Sequence, residues 1–472
     1  MDWHNLRAKH SSVSGILSYN NYQGLYPQTS PQTQRFPYNA YPLDKQENYP
    51  NQTDNRSSYY ASQYPLYGAD WVTLGNSDWV ALSSFREGFQ NRILVVHGQS
   101  FRRREDDENT DIPSQDRPNS VESPVSAQSS NSSDELSTPK ESLPAFSREF
   151  DFHKVAEITV DYPVTNLQWD PQILNGGPGE RLAASSEVLR LYKVEYSPEP
   201  TIVQTHLLAN NSTANSTLDS RDINTFPPVT SFDWNTTDSS ILITLSVDTT
   251  CTVWDLNRSH SLGRDKENTA QVKTQLIAHD SEVFDVKFIH QSTNVFASVS
   301  NDGSMRVFDL RSLEHSTIIY EPTLPAVPIP GVAPAHYNLQ ALLKLLTSNI
   351  DQNYLSTIGV NLNQVLIIDM RMPGMPVMTL DGLFGGMSSA AINHIEWHPN
   401  SNNLLTGGDD CQALVWDCSG RKTRGGEVAC VVDTPVLAYL EDLEVNHVCW
   451  RRNAGDWMGV VSGKGFQAVQ NS

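Results

Sequence analysis

The chain has 472 residues and carries 54 acidic against 33 basic side chains, a formal charge of −21 and a pI near 4.9. That balance argues against general nucleic-acid binding, because affinity for a phosphate backbone comes from Lys and Arg. The hydrophobic fraction of 38% is low for a chain folded from end to end, and no apolar run nears the roughly 20 residues that cross a bilayer.

Residues 1–55 are rich in Asn, Gln, Tyr, Pro and Ser, and nine tyrosines fall between Tyr19 and Tyr64 without any strand or helix period. Such sequence buries too little surface to offset the entropy of ordering, so a disordered tail is expected there. The opening Met1-Asp2-Trp3-His4 has no basic stretch leading into an apolar one, so no secretory signal is expected. The Asn-x-Ser/Thr triplets at Asn210, Asn211 and Asn235 then read as polar loop sequence. The five cysteines (Cys251, Cys411, Cys418, Cys430 and Cys449) form no Cys-x-x-Cys pair. Neither a disulfide framework nor a thiolate zinc site is expected, and a reducing compartment fits.

A second polar stretch, 98–148, opens with Arg102-Arg103-Arg104 and holds eleven acidic against three basic residues between Glu105 and Glu149. It reads as a disordered acidic insertion, in which Ser123-Pro124 and Thr138-Pro139 could accept proline-directed phosphate. Elsewhere from residue 56 to 472, short runs of Val, Ile, Leu, Phe and Trp alternate with Asp, Asn, Gly and Ser clusters, the pattern of many short strands. An aromatic closes one such run at Trp71, Trp169, Trp234, Phe288, Trp397 and Trp450. The step from 288 to 397 is twice its neighbours, and Leu342–Thr347 fills it with Thr347 at the aromatic position. Seven repeats follow, with their excess length in loops near 210–222, 257–271, 322–338 and 420–432.

Three later segments share one internal spacing: Asp248 to Trp254, Asp302 to Phe308 and Asp410 to Trp416, each six positions apart. Each is a strand of small residues, an Asp-bearing turn and a strand ending in aromatic-Asp. Together they resemble the WD-repeat β-propellers, which implies an all-β, seven-bladed ring. The last repeat stops after three strands, at Phe466–Val469, so residues 56–62 are expected to supply the fourth. In that family His279, Asp302 and Phe308 would belong to a His-Ser-Asp-Trp hydrogen-bond chain, here partial because Phe308 cannot donate. His394 and His447 share one repeat position, and with His398 they lack a third ligand at zinc spacing. Gly385, Gly386, Gly459, Gly463 and Gly465 read as turn residues. With no phosphate loop, serine elbow or Cys/His nucleophile pair, neither an enzyme nor a cofactor is expected.

A narrower resemblance rests on Pro228–Asn235, Lys273–Asp280, Phe308–Arg311, Leu313–Glu321, Asn353-Tyr354-Leu355 and Gln412–Asp417. These runs are similar to the WD-repeat subfamily of plant transparent-testa-glabra and anthocyanin regulators, whose animal member is the seventh DDB- and cullin-4-associated factor. The resemblance implies a non-enzymatic scaffold for protein kinases and transcription regulators, monomeric, in cytoplasm and nucleus. An alternative it implies is a substrate receptor of a cullin-4 ubiquitin ligase. Phe308-Asp-Leu-Arg311 and Ile368-Asp-Met-Arg371 resemble the Trp-Asp-x-Arg motif that docks that ligase's adaptor, so Arg311 and Arg371 are the candidate partner-binding residues. The rival from another class is a propeller hydrolase with a metal in its channel. No membrane and no direct nucleic-acid contact is expected.

Overall fold

Runs that are apolar on both faces fold here into strands whose two faces meet two different neighbours. The computed structural model describes residues 58–75, 77–86, 90–104, 146–175, 181–208, 227–261, 268–322, 340–360, 362–382, 390–419 and 430–471. The tail expected over 1–55, the Ser-Pro and Thr-Pro sites, the triplets at Asn210 and Asn211, and Gly385-Gly386 lie outside the described residues.

Among those residues the strands form antiparallel meanders of four. Unit one is Leu66–Leu74, Ser77–Ser84, Asn91–Arg104 and Phe146–Val160; unit two is Asn166–Trp169, Arg181–Ser185, Leu189–Glu195 and Thr201–Leu208. Unit three is Val229–Trp234, Ile241–Ser246, Thr250–Ser261 and Asn268–Ile277, joined to unit two by the single pairing of Asn268 with His206. Unit four is Val283–Phe288, Val295–Ser300, Met305–Asp309 and Ser312–Tyr320; unit five is Leu342–Thr347, Tyr354–Gly359, Gln364–Asp369 and Met378–Asp381. Unit six is Ile392–Trp397, Asn403–Gly408, Gln412–Asp417 and Leu437–Leu440. Unit seven takes Val445–Trp450, Trp457–Ser462 and Gly465–Gln470, and its fourth strand is Tyr59–Ala61 from the other end of the chain, with Tyr60 opposite Phe466.

The apolar side chains do not pool into one core. They form clusters that each span two neighbouring units, from units one and two round to units six and seven and units seven and one. That is why the middle strands, such as Ile241–Ser246 and Trp457–Ser462, are buried along their whole length. The aromatics that end the first strands sit in these seams: Trp71, Trp169, Trp234, Phe288, Trp397 and Trp450 are all at most 5% exposed. Thr347, in unit five, instead donates its hydroxyl to the Phe288 carbonyl at 3.3 Å, and the strand pairs with Tyr354–Gly359 without an aromatic.

The seam between units seven and one is the richest in aromatics. Trp71 lies edge-on to Phe150 at 5.4 Å and to Phe466 at 5.8 Å, and Phe150 meets Trp457 at 4.9 Å. Beneath it, Asp78 accepts from Trp71 Nε1 at 3.0 Å and Thr73 Oγ1 at 2.9 Å, and from Arg451 Nε at 2.6 Å. Ser58 fastens the Tyr59–Ala61 strand there, accepting from Phe150 N on its hydroxyl and from Ala468 N on its carbonyl.

Two boundaries differ from the sequence reading. The insertion expected over 98–148 begins later and ends earlier, because Asn91–Arg104 and Phe146–Val160 pair in register to Arg104 opposite Phe146. The loop expected over 257–271 is likewise shortened by a long hairpin in which Ser261 opposes Asn268. Both extensions are polar, so no apolar alternation announced them; backbone pairing alone carries the ladder outward. Cys430–Val432, read as loop, adds a parallel fifth strand to unit five and pairs an edge that would otherwise be open.

Asp78→Ala should destabilise the protein by about 2–3 kcal/mol, because it removes the acceptor of the buried Trp71 indole N–H and leaves the Arg451 guanidinium with Asp456 alone. Urea unfolding monitored by tryptophan fluorescence would measure it; a loss below about 1 kcal/mol would show that this seam does not hold the ring closed.

Candidate functional site

The repeat markers lie in the sheets or on the turns that join their strands. In unit four, His279 Nε2 is 2.8 Å from Ser298 Oγ and its Nδ1 is 3.2 Å from Asp302 Oδ2, while Ser304 Oγ donates to Asp302 Oδ1 at 2.7 Å. Burial opposes charge on Asp302, but the hydrogen bonds from His279 and Ser304 outweigh it and hold the carboxyl well below its usual range. Phe308 stacks on Phe296 at 5.0 Å and donates nothing. Units three and six carry the other limb: Trp254 Nε1 donates to Thr244 Oγ1 at 2.9 Å and Trp416 Nε1 to Thr406 Oγ1 at 3.0 Å. Asp248 is exposed and holds Thr250. Asp410 accepts from Gln412 N on Oδ1 and keeps Oδ2 buried without a partner. The residue after each Asp is left-handed, with φ of 73° at Thr249, 77° at Gly303 and 63° at Cys411, which makes the turn tight in all three.

Arg311 and Arg371 stand on equivalent turns of adjacent units, between the third and fourth strands. Each preceding Asp accepts the backbone N–H of the Arg and then its guanidinium. Asp309 receives Arg311 N at 2.9 Å and Nη2 at 2.6 Å; Asp369 receives Arg371 N at 3.0 Å and Nη2 at 2.8 Å. The hydrogen bonds from Arg311 pull Asp309 down to about 2 and raise the guanidinium in turn. Arg371 also nears Asp351 at 3.7 Å and lies over the Tyr354 ring at 5.7 Å. The Arg311 and Arg371 side chains are 69% and 51% exposed. Each is therefore aimed by its own Asp yet open to a partner, and Arg presents a planar fork suited to protein interfaces.

The third constellation was not singled out in the sequence. Before four of the six aromatic markers, the preceding residue fastens the next unit. Asp70 accepts from Trp169 N at 2.7 Å, Gln168 from Trp234 N at 3.3 Å, Asp233 from Phe288 N at 2.8 Å and Glu396 from Trp450 N at 3.0 Å. Lys287 pairs with Asp233 at 3.0 Å and Arg452 with Asp70 at 2.9 Å. Burial, reinforced by Asp70 and opposed by Arg452, pushes Glu396 up to about 8. His394 and His447 stack with centroids 3.6 Å apart, and His398 donates to or accepts from the backbone on both nitrogens, at Gly455 and Asn400. Among the described residues, no three His, Cys, Asp or Glu side chains gather in a metal-holding arrangement.

The family model described as "WD domain, G-beta repeat" matches residues 270–309 and 375–417. The chain is 36% identical over 473 residues to the WD repeat-containing protein YPL247C of Saccharomyces cerevisiae, covering 87% of this chain and 76% of that one. The chain belongs to the WD-repeat family. It is also 32% identical over 414 residues to the DDB1- and CUL4-associated factor 7 homolog of Dictyostelium discoideum, covering 87% of this chain and 97% of that protein. A third WD-repeat relative, C17D11.08 of Schizosaccharomyces pombe, is 39% identical over 277 residues, 56% of each chain.

A signal for the inward residues was present in this WD-repeat sequence: Ala-Asp-Trp71, Leu-Gln-Trp169, Phe-Asp-Trp234 and Ile-Glu-Trp397 each put a carboxylate or amide before the aromatic. Only the ring shows what the oxygen meets. Glu396 gives a pH test. Its folded pKa of about 8 exceeds the ordinary 4.5, so the folded chain holds a proton that the unfolded chain has released. Stability from this group is full below 4.5 and is lost as pH rises toward 8. Glu396→Gln keeps the acceptor for Trp450 N and should flatten that decline by on the order of 1–2 kcal/mol, seen in melting curves across the window. Parallel pH profiles for variant and parent would show instead that Glu396 is already charged.

Proposed function

We propose that this WD-repeat protein is a non-enzymatic scaffold, a seven-bladed propeller that holds other proteins on the turns of its blades. Four-strand meanders with cores at each seam, closed by the Tyr59–Ala61 strand, support the seven-bladed reading. The observation that carries the function is the pair of Asp-x-Arg turns on neighbouring blades four and five. Their guanidiniums are pre-aimed by Asp309 and Asp369 and remain exposed. Preset side chains lose little rotamer freedom on binding, which is how a rigid platform gains affinity.

Two partner classes fit. Protein kinases and transcription regulators follow from the resemblance to the transparent-testa-glabra branch, with work in cytoplasm and nucleus. A cullin-4 ligase adaptor is the second reading, favoured by the Arg turns and by the name of the Dictyostelium relative, a DDB1- and CUL4-associated factor 7 homolog. Neither reading requires chemistry at a cofactor.

Arg311→Ala combined with Arg371→Ala should abolish co-purification of the ligase adaptor while leaving the melting temperature unchanged, since exposed ion pairs add little to stability. Retained adaptor binding in the double variant would remove these turns from the docking surface. Kinase recovery by the same variant separates the two readings: unchanged kinase binding with lost adaptor binding means that the two use different surfaces.

A further inference from the structure

The long hairpin of unit one sets two histidines directly opposite each other. Asn91–Arg104 and Phe146–Val160 pair with His97 across from His153, and Ser77–Ser84 adds Trp79 across from His97. Successive side chains of a strand alternate between its two faces, so these three form one row across the sheet. Their sequence neighbours Asp78 and Phe152 take the other face and are buried. Trp79 packs against the apolar seam of units one and two, and Tyr196 of unit two lies edge-on to it at 6.0 Å. Outward from Trp79 the row opens to solvent: His97 is half-buried and His153 exposed.

The separation of the two rings is the one that a shared metal ion demands. Their centroids are 4.9 Å apart and their planes meet at 61°. An imidazole nitrogen binds a divalent transition metal at about 2.0–2.1 Å, which puts each ring centroid roughly 3.2 Å from the ion. Two such rings at the roughly 90–110° angles of octahedral or tetrahedral coordination have centroids about 4.5–5.2 Å apart. The observed value lies inside that range. Turning each ring about χ2, a broad two-fold torsion, brings one nitrogen of each towards a common point while the backbone stays in place. The other histidine pair fails the same comparison. The His394 and His447 rings stack at 3.6 Å, too close for a shared ion, and their Nδ1 atoms are buried.

The sheet also sets the rings up to ligate. His97 is steadied from one side by Trp79, edge-on at 4.8 Å, and from the other by His153. Burial and the neighbouring His153 lower the His97 imidazole below its ordinary range, against the pull of Asp78. The ring therefore stays neutral, the form that binds a metal, to a lower pH than an isolated histidine does.

We propose that His97 and His153 form a two-histidine surface site for a divalent transition-metal ion of the Zn2+ or Cu2+ kind. Imidazole nitrogens favour these ions, whereas Mg2+ and Ca2+ take oxygen ligands. Among the described residues no third His, Cys, Asp or Glu joins the pair, so water completes the coordination. That makes the site labile, unlike the closed four-ligand sites that hold a fold together. A bound ion clips Asn91–Arg104 to Phe146–Val160 in the register they already adopt. The site is independent of the Asp-x-Arg turns on units four and five and of the partners proposed for them.

The test is a titration of the full chain, free of any polyhistidine tag, with ZnCl2 at about pH 7.5, where an ordinary imidazole is neutral. The imidazole NMR signals of His97 and His153 report binding, and MgCl2 is the comparison ion. Both signals should move together along one binding curve in zinc and stay in place in magnesium. His97→Gln and His153→Gln should each weaken zinc binding, read at the remaining histidine, about tenfold or more, since loss of even a ligand's supporting partner costs that much. His153 is exposed, so its replacement tests the pair while the Trp79 contact of His97 stays intact. His315→Gln, on the exposed outer strand of unit four, should leave both signals responding as in the parent. A signal of either histidine that ignores zinc, a single variant that binds as tightly as the parent, or an equal response to magnesium would overturn the site.

Discussion

Everything in this ring depends on one repeated contact: a side chain one residue before the strand-ending aromatic accepts the backbone N–H of the next unit's aromatic. Asp70, Gln168, Asp233 and Glu396 make it. A four-strand meander cannot bury both of its faces alone, so each unit is stable only while clamped between two neighbours. This hydrogen bond on the inner wall helps to fix the distance and angle at which the apolar seams close. Where the acceptor is missing, another group substitutes. Asp285 takes the Leu345 N–H at the entrance to unit five, and Asn349 donates to the Trp397 carbonyl at its exit. At the closing junction Arg452 N donates to the Trp71 carbonyl, and the side chains of Arg451 and Arg452 grip Asp78 and Asp70.

This arrangement separates the seams from the turns proposed for docking. The carboxylates that hold the seams are buried on the inner wall, whereas Arg311 and Arg371 occupy outward turns whose removal leaves every seam intact. Asp309 and Asp369 serve both ends: each accepts the backbone N–H two residues on, which stops the third strand, and each then orients the guanidinium. The same turn recurs where Asp417 accepts from Ser419 N, but without an Arg to present. A common structural device thus carries the proposed contact surface on two adjacent units through one residue in each.

How far the sequence could be read depended on whether a residue's partner was local. The six-residue spacing from Asp302 to Phe308 lies within one hairpin, so its pattern was visible and the His279–Ser298 contact followed from a single unit. Thr347 was placed by counting repeats, and its hydroxyl bond to unit four replaces the missing ring. The polar ladders of Asn91–Arg104 with Phe146–Val160 were invisible, because backbone pairing of exposed strands leaves no hydrophobic period. The parallel strand Cys430–Val432 was hidden for a different reason: its partner belongs to the previous unit.

The amino-acid order alone determined the all-β character, the repeat and the markers that end its strands, because alternation and turn chemistry are properties of a few consecutive residues. It also pointed to residues 56–62 as the source of the last strand. The tertiary structure alone decided what faces the inner wall. Asp70 meets Trp169 across 99 positions and Arg451 meets Asp78 across 373, and His394 stacks on a ring 53 residues away in sequence only because two strands were brought side by side. Contacts of that kind depend on the closed geometry, and no local pattern encodes them.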